Sequence, residues 1–208
     1  MGNIKTYRIE TERLVIRCYQ PADAELLFNS LNCGTEHLIQ WLPWAKTEPV
    51  GIEEQIDKLR MFRAKYDAGQ DYIMGIFNSD ESELLGGTGL HPRIGNNAME
   101  IGYWLSASHL RKGIITESTQ ALVRVGFEVE QLQRIEIHCD PNNTASANIP
   151  HKLGFLHEAT LRNRSTDVNG NPRDTMIWTM FREDYTQHFS KQLPLQAYDC
   201  AGRKIASM

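Results

Sequence analysis

The sequence predicts a mixed α/β domain in which strands and helices do not alternate regularly. Short runs of β-branched and aromatic residues mark strands, and longer stretches with apolar residues at every third or fourth position mark helices. Three predicted strands follow one another between residues 72 and 105 with no helix between them. A doubly wound sheet would place a helix after nearly every strand, so the sequence favours a mixed domain over that architecture.

The first 70 residues are predicted to form one strand and three helical segments. The strand is Leu14–Tyr19, and a helix follows from Pro21 to about Asn32. Proline is favourable at this early helical position because its missing N–H would have no partner there. Glu36–Trp41 is predicted to form a short helical turn. Gly51–Ala68 has apolar residues at helical spacing and is followed by a glycine that ends the helix.

The rest of the domain follows from alternating apolar patterns and turn residues. The long helix from Ile114 to about Glu130 has one apolar face. Asn169-Gly170 is a hairpin turn signal, so the last two strands are expected to pair. The other predicted elements are strands at 72–77, 84–90, 98–105 and 134–139, a short helix at 145–153, and hairpin strands at 155–161 and 174–181.

Length and composition indicate one globular domain over residues 1–190, followed by a C-terminal tail over 191–208. The net charge of −4 argues against a nucleic-acid-binding protein, which is usually basic. No apolar run is long enough to span a membrane. The four cysteines are scattered without metal-ligand spacing, so we expect reduced thiols, no metal site and a cytoplasmic protein.

The most informative feature of the chain is a strand, a basic loop and a helix in close succession. The strand ends at Leu105, and the helix begins at Ile114. This order leaves backbone N–H groups without partners at the positive end of a helix dipole, and a diphosphate can bind there. The residues expected to supply this site are Leu110, Arg111, Lys112, Gly113, Ile114, Ile115 and Thr116.

A second segment lies about thirty residues downstream, where Asp140–Asn148 is followed by Lys152-Leu-Gly-Phe155. The side-chain amide of Asn143 has both a donor and an acceptor, so it could bind an amide of a ligand or cap a helix. Both interpretations remain open from the sequence. Lys152 could reach a phosphate, whereas Phe155 is expected in the core.

These two segments, in this order and at this spacing, resemble the acetyl-CoA signature of the GNAT superfamily of N-acetyltransferases. The likeness is greatest to the ribosomal-protein-alanine N-acetyltransferase (RimJ/RimL-like) branch and covers about residues 10–184. The family loop reads Gln/Arg-x-x-Gly-x-Gly/Ala, and here the matching positions are Leu110, Gly113 and Ile115. Only the central glycine is kept, but backbone amides hold the diphosphate, and any residue except proline supplies one.

The resemblance implies the GNAT fold, which has a central, mostly antiparallel twisted sheet that is splayed at the acetyl-CoA site. It also implies acetyl-CoA as the donor co-substrate and no metal. Trp104 and Leu105 are then expected to offer a free strand edge to the pantetheine arm. Residues 110–116, Asn143, Ser146 and Lys152 would bind the remainder of the donor.

Acetyl transfer to an amine needs a proton acceptor for the amine and a proton donor for the leaving thiolate. Glu100 is the candidate general base, because a carboxylate is unusual in an otherwise apolar strand and such a residue is a candidate for a functional role. A pairing with an arginine across the sheet is the structural alternative. By the resemblance Ser146 is the candidate acid, with a plain first-turn serine as its alternative. His138 is expected to be a residue of the sheet face.

The resemblance also implies an acceptor groove with Trp41, Trp44, Glu100 and Asp174 as substrate-binding residues. The two tryptophans could instead be core or dimer contacts, and a homodimer is compatible with the family. The acceptor is expected to be a primary amine, either a protein N-terminus or a small molecule. Two other classes remain open, a non-catalytic acyl-CoA sensor and an interaction protein that has lost acetyl-CoA binding.

Overall fold

One β-sheet runs through the residues that the computed structural model describes, 4–189 and 193–208. The strands in this part of the chain are β1 Arg8–Glu10, β2 Leu14–Cys18, β3 Tyr72–Asn78, β4 Leu84–His91, β5 Ala98–Leu105, β6 Arg134–Cys139, β7 Leu156–Thr166, β8 Pro172–Phe181, β9 Gln196–Tyr198 and β10 Lys204–Ser207. The helices are α1 Ala24–Asn32, α2 Glu36–Ile39, α3 Ile52–Asp67, α4 Ile114–Glu128, α5 Thr144–Lys152 and α6 Arg182–His188.

The sheet order is β10-β9-β1-β2-β3-β4-β5-β6-β8-β7. Its neighbouring strands are antiparallel except for β5 and β6, which run parallel and are connected through α4. The predicted fold class, a mixed α/β domain with a mostly antiparallel sheet, is therefore confirmed.

Side chains on the two faces of the sheet enter two separate apolar clusters. Met99, Ile101 and Leu105 of β5 pack with α4 residues such as Leu122 in the larger cluster. Trp104 packs instead against the cluster that α1 and α3 form with the opposite face. Alternation along a strand therefore directs Glu100 and Gly102 toward the face covered by α1 and α3.

Strands β5 and β6 separate after a short parallel segment. Their pairing joins Ala98–Glu100 to Arg134–Glu136 and does not continue beyond it. Residues 101–105 and 137–139 consequently face a gap, while their outer edges remain paired with β4 and β8. This is the splay that the family resemblance implies.

The predicted bounds of β5 and β6 agree with the structure, whereas several short elements were not predicted. Strand β1 and helix α6 were missed, and both hairpin strands are longer than expected. Residues 193–208, for which the sequence predicted a tail, add β9 and β10 to the sheet beside β1. Strands of three or four residues have too little pattern to stand out. The predicted boundary at 190 and 191 lies outside the described residues.

Within the described ranges, no helix has the length and hydropathy needed to cross a membrane.

Candidate active site

The gap between β5 and β6 opens into a cavity of about 830 Å³, here called the first cavity. It runs from the N-terminal turns of α4 and α5 to the segment that includes α2. Most of the predicted site residues line it, namely Trp41, Glu100, Trp104, Leu105, Leu110, Arg111, Gly113, Ile114, Ile115, Thr116, Asn143, Ser146 and Lys152.

Three predicted site residues lie elsewhere. The ammonium of Lys112 faces Nδ1 of His109 at 3.4 Å. Trp44 lines a second cavity on the other side of β5. Asp174 accepts a hydrogen bond from the backbone N–H of Asn163 at 2.9 Å, which holds it against β7. The sequence identified the strand of Asp174 but could not show which way its side chain is held.

The loop before α4 turns its backbone amides outward. Arg111 and Gly113 both have left-handed backbone conformations, with φ of 62° and 77°. The N–H groups of residues 111–116 have no hydrogen-bond acceptor among the described residues, and the first helical bond of α4 is donated by Glu117. Successive free N–H groups at a helix N-terminus form an anion site.

The start of α4 is fixed to the rest of the protein by Glu117. Its carboxylate accepts a hydrogen bond from the hydroxyl of Thr11 at 2.7 Å and forms an ion pair with Arg13. The positive charge of Arg13 offsets the negative charge of this acid. Arg111 and Lys152 are exposed and line the same end of the first cavity, so this end is cationic.

Helix α5 brings Ser146 against β5. The side chain of Asn143 caps the helix by accepting a hydrogen bond from the N–H of Ser146 at 3.0 Å. Pro150 lies inside the helix, and it has no N–H to donate to the carbonyl of Ser146 four residues earlier. The hydroxyl of Tyr103 takes that place, donating to this carbonyl at 3.1 Å.

The same Tyr103 hydroxyl lies 3.1 Å from Oγ of Ser146. Two hydroxyls therefore meet inside the first cavity. Burial raises the pKa of the Tyr103 phenol, and the hydrogen bond with Ser146 offsets only part of this shift. The sequence does not single out Tyr103, and the effect of Pro150 on Ser146 is the signal that could have identified it.

Glu100 is buried and forms an ion pair. Arg93 donates to both of its carboxylate oxygens, from Nε at 2.7 Å and from Nη2 at 2.5 Å. Nδ1 of His138 lies 3.4 Å from the same carboxylate, and its Nε2 lies 2.7 Å from Glu136. The structural alternative for Glu100, pairing with an arginine, is what the structure shows. His138, expected on the sheet face, also lines the first cavity.

A second cavity, of about 680 Å³, lies against β5 on the face covered by α1 and α3. The indole of Trp44 meets that of Trp104 edge to face there, with ring centroids 5.8 Å apart. Trp44 and Met61 are 42% and 48% exposed, so the cavity has an open apolar rim. The residues shared by both cavities are Leu42, Arg93, Gly102, Tyr103 and Trp104.

Arg173, which the sequence did not single out, connects two walls of the first cavity. Its guanidinium donates to the carbonyl of Trp41 at 3.2 Å and lies 3.3 Å from the carboxylate of Asp140. The segment after α2 is thereby fixed to the end of β6. Among the described residues, no group of three or more His, Cys, Asp or Glu side chains is arranged to hold a metal ion.

Comparison with known proteins identifies the family of this chain. Residues 13–156 match the acetyltransferase (GNAT) domain. The chain belongs to the GNAT acetyltransferase family. The predicted family is confirmed, and the protein is an acetyl-CoA-dependent N-acetyltransferase.

Two curated relatives and one solved structure illustrate the likeness. The chain is 30% identical over 175 residues to the uncharacterized N-acetyltransferase YoaA of Bacillus subtilis (strain 168), covering 84% of this chain and 96% of YoaA. It is 24% identical over 190 residues to the ribosomal protein uS5-alanine N-acetyltransferase of Escherichia coli (strain K12), covering 89% and 96%. RimL, a ribosomal L7/L12 alpha-N-protein acetyltransferase solved in complex with coenzyme A, matches with a TM-score of 0.73 and 23% identity, covering 82% and 95%.

Proposed function

We propose that this GNAT enzyme acetylates the N-terminal amine of a protein or peptide. Acetyl-CoA would occupy the first cavity, and the acceptor would enter through the second. The observation that carries this proposal is the meeting of the two cavities at Gly102, Tyr103 and Trp104. Donor and acceptor could reach the same segment of β5 without sharing an entrance.

The first cavity suits each part of the donor. The free N–H groups of residues 111–116 and the charges of Arg111 and Lys152 fit the diphosphate. The unpaired edge of β5 near Trp104 and Leu105 offers hydrogen bonds to the two amides of the pantetheine arm. Asn143 uses its carbonyl oxygen as a helix cap, which leaves its side-chain N–H₂ available to a pantetheine carbonyl.

We assign protonation of the leaving thiolate to the hydroxyl pair of Ser146 and Tyr103. Both hydroxyls lie in the donor cavity, and the raised pKa of Tyr103 keeps its phenol protonated at neutral pH. A neutral hydroxyl can donate a hydrogen bond to a developing thiolate and relay a proton to it.

Glu100 is best assigned to the charge of the site and not to proton removal. Both of its oxygens are bonded to Arg93, and accepting a proton would remove the negative charge that holds this ion pair together. The pair lies where the acceptor would meet the donor. Its carboxylate contributes negative charge that favours an approaching ammonium.

The rim of the second cavity favours a peptide over a fully enclosed small amine. Trp44 and Met61 remain exposed there, so a chain that continues beyond its first residue could leave the cavity. The named activities of the uS5-alanine N-acetyltransferase and of RimL support the same choice. Trp41 would contact the acceptor from the first cavity. Asp174 lines neither cavity, so it would contact the acceptor only outside them.

The test is thiol release from acetyl-CoA with a panel of amines. The panel contains peptides with free N-termini, the same peptides with blocked N-termini, polyamines and free amino acids. We expect saturable release with free N-termini, no release with blocked ones, and one acetyl group at the N-terminus by mass spectrometry. Saturable turnover confined to polyamines or amino acids would contradict the proposal.

A further inference from the structure

The second cavity contains a histidine–aspartate pair. Nδ1 of His91 lies 2.6 Å from Oδ1 of Asp71. His91 is the last residue of β4, and Asp71 immediately precedes β3, one step beyond the Tyr72–Leu90 pair of these strands. The pair is therefore held by the register of two adjacent strands. The side chains are 15% and 28% exposed, so both are partly shielded from water.

Asp71 fixes the orientation and tautomer of the imidazole. Burial alone would raise the pKa of Asp71, but the hydrogen bond from His91 and the nearby positive charges lower it overall. An ionised carboxylate can only accept, so Nδ1 of His91 carries the donated proton. The lone pair is then on Nε2, and Nε2 has no hydrogen-bond partner within the described part of the chain.

Two glycines make room for this ring beside β5. A Cβ added at Gly102 would lie 3.1 Å from Nε2 of His91, and one added at Gly89 would lie 3.1 Å from the same atom. Neither glycine has a positive φ, so the backbone does not require glycine at these positions. At Gly102 the imidazole takes up the space that a side chain would need, and at Gly89 the imidazole and the carbonyl oxygen of Tyr72, 2.8 Å from such a Cβ, both do so. Because Gly102 borders both cavities, Nε2 lies beside the strand segment where they meet.

The carboxylates near this point are already bonded to other groups. Glu48, which also lines the second cavity, is paired with Lys58 and accepts from Nε2 of Gln55 at 2.7 Å. Glu100 is bonded through both oxygens to Arg93. Among the carboxylates and imidazoles that line the second cavity in the described residues, the groups without a hydrogen-bond partner are Nε2 of His91 and Oδ2 of Asp71, and both belong to this pair.

We propose that His91 is the general base that deprotonates the acceptor amine, with Asp71 as its positioning residue. This inference rests on the proposed acceptor route through the second cavity. Nε2 takes one proton from the ammonium, whose nitrogen keeps the electron pair and attacks the thioester carbonyl. The C–N bond forms, and the C–S bond breaks with its electron pair on sulfur.

The protons of the reaction balance. Of the three protons on the ammonium, one passes through His91 to solvent and one stays on the amide nitrogen. The third also passes to His91 as the C–N bond forms, after His91 has released the first. The Ser146–Tyr103 hydroxyl pair gives a proton to the coenzyme A sulfur and regains one from solvent, so the reaction releases one proton overall. No oxidant, reductant or metal is required.

The test compares His91→Gln and His91→Ala with His157→Gln, a matched control on the exposed strand β7. Both His91 variants should lose roughly 100-fold or more in kcat, the usual range for a general base. Calorimetry should show unchanged acetyl-CoA affinity, which excludes misfolding as the cause. Imidazole in the buffer should restore part of the activity of His91→Ala, because the truncated side chain leaves space for it, but not of His91→Gln. The His157 variant should keep the wild-type kcat.

Asp71→Asn is measured alone and combined with His91→Gln. If Asp71 acts through His91, it lowers kcat in the wild-type background and costs nothing further in the His91→Gln background. Full activity of His91→Gln, or an Asp71 effect that persists without His91, overturns the assignment while leaving N-terminal acetylation intact. A wild-type enzyme that acetylates no free N-terminus overturns the acceptor proposal and this one together.

Discussion

Arg93 holds Glu100 through two hydrogen bonds, one to each carboxylate oxygen, at 2.7 and 2.5 Å. Arg93 follows β4 and Glu100 lies in β5, so the pair joins two adjacent strands next to the splay. A bidentate pair of this kind is geometrically specific and strong. Glu100 is therefore not a free carboxylate, and the pair forms part of the wall between the two cavities.

The first prediction concerns this pair. Glu100→Gln should lower kcat/KM for the amine by about tenfold, because Arg93 loses its ionic partner and the ammonium loses an attractive charge. The loss should be far smaller than that for His91→Gln, and acetyl-CoA affinity should hold. A kcat loss of 100-fold or more, roughly the range expected for a general base, would return that function to Glu100.

The second prediction concerns the amides before α4. Gly113→Pro removes an N–H and cannot adopt a φ of 77°, so we expect acetyl-CoA binding to weaken by roughly 100-fold or more. Calorimetry measures the affinity. Gly170→Ala, at a φ of 82° in the β7–β8 turn, is the control for backbone strain and should bind acetyl-CoA normally. Unchanged affinity of Gly113→Pro would remove the loop from the donor site.

The third prediction concerns the two hydroxyls. Tyr103→Phe and Ser146→Ala should each lower kcat by about tenfold to 100-fold with little change in acetyl-CoA affinity. Because the hydroxyls lie 3.1 Å apart, their effects should not add in the double variant. Wild-type kcat in both single variants would show that the thiolate takes its proton directly from water.

The fourth prediction concerns the rim of the second cavity. Trp44→Ala removes the edge-to-face contact with Trp104 and should raise KM for a peptide acceptor by roughly tenfold, leaving acetyl-CoA affinity unchanged. Leu156→Ala, an exposed apolar residue on β7, is the control and should leave both constants unchanged. Equal KM values for Trp44→Ala and the wild type would exclude this rim from acceptor binding.

The fifth prediction concerns the C-terminal strands. Ala197 in β9 is fully buried and pairs with Ile9 of β1. Ala197→Asp places a charge in the core and should lower the free energy of unfolding by about 3 kcal/mol or more. Ala201→Asp, in the exposed turn before β10, should leave Tm unchanged. A stable Ala197→Asp variant would mean that the described C-terminal strands contribute little to the domain.

Local pattern was enough to predict the strands and helices that line the first cavity. The apolar pattern of Ala98–Leu105 predicted strand β5 with its observed bounds, and the loop before Ile114 was recognised by its order of elements. Contacts that depend on register between strands could not be predicted. The partner of Glu100 is set by the β4–β5 turn, and the pairing of Asp71 with His91 is set by the register of β3 and β4.

The divergence of β5 from β6 can be regarded as a sheet that lacks one strand. In an intact sheet, the peptide groups of residues 101–105 and 137–139 would bond to each other, but here they border a space that a narrow, amide-bearing chain could fill. A donor that fills it would become a temporary part of the secondary structure. The edges of β5 and β6 would then be hydrogen-bonded only while the donor is bound. Each turnover would break these hydrogen bonds and form them again with the next donor molecule.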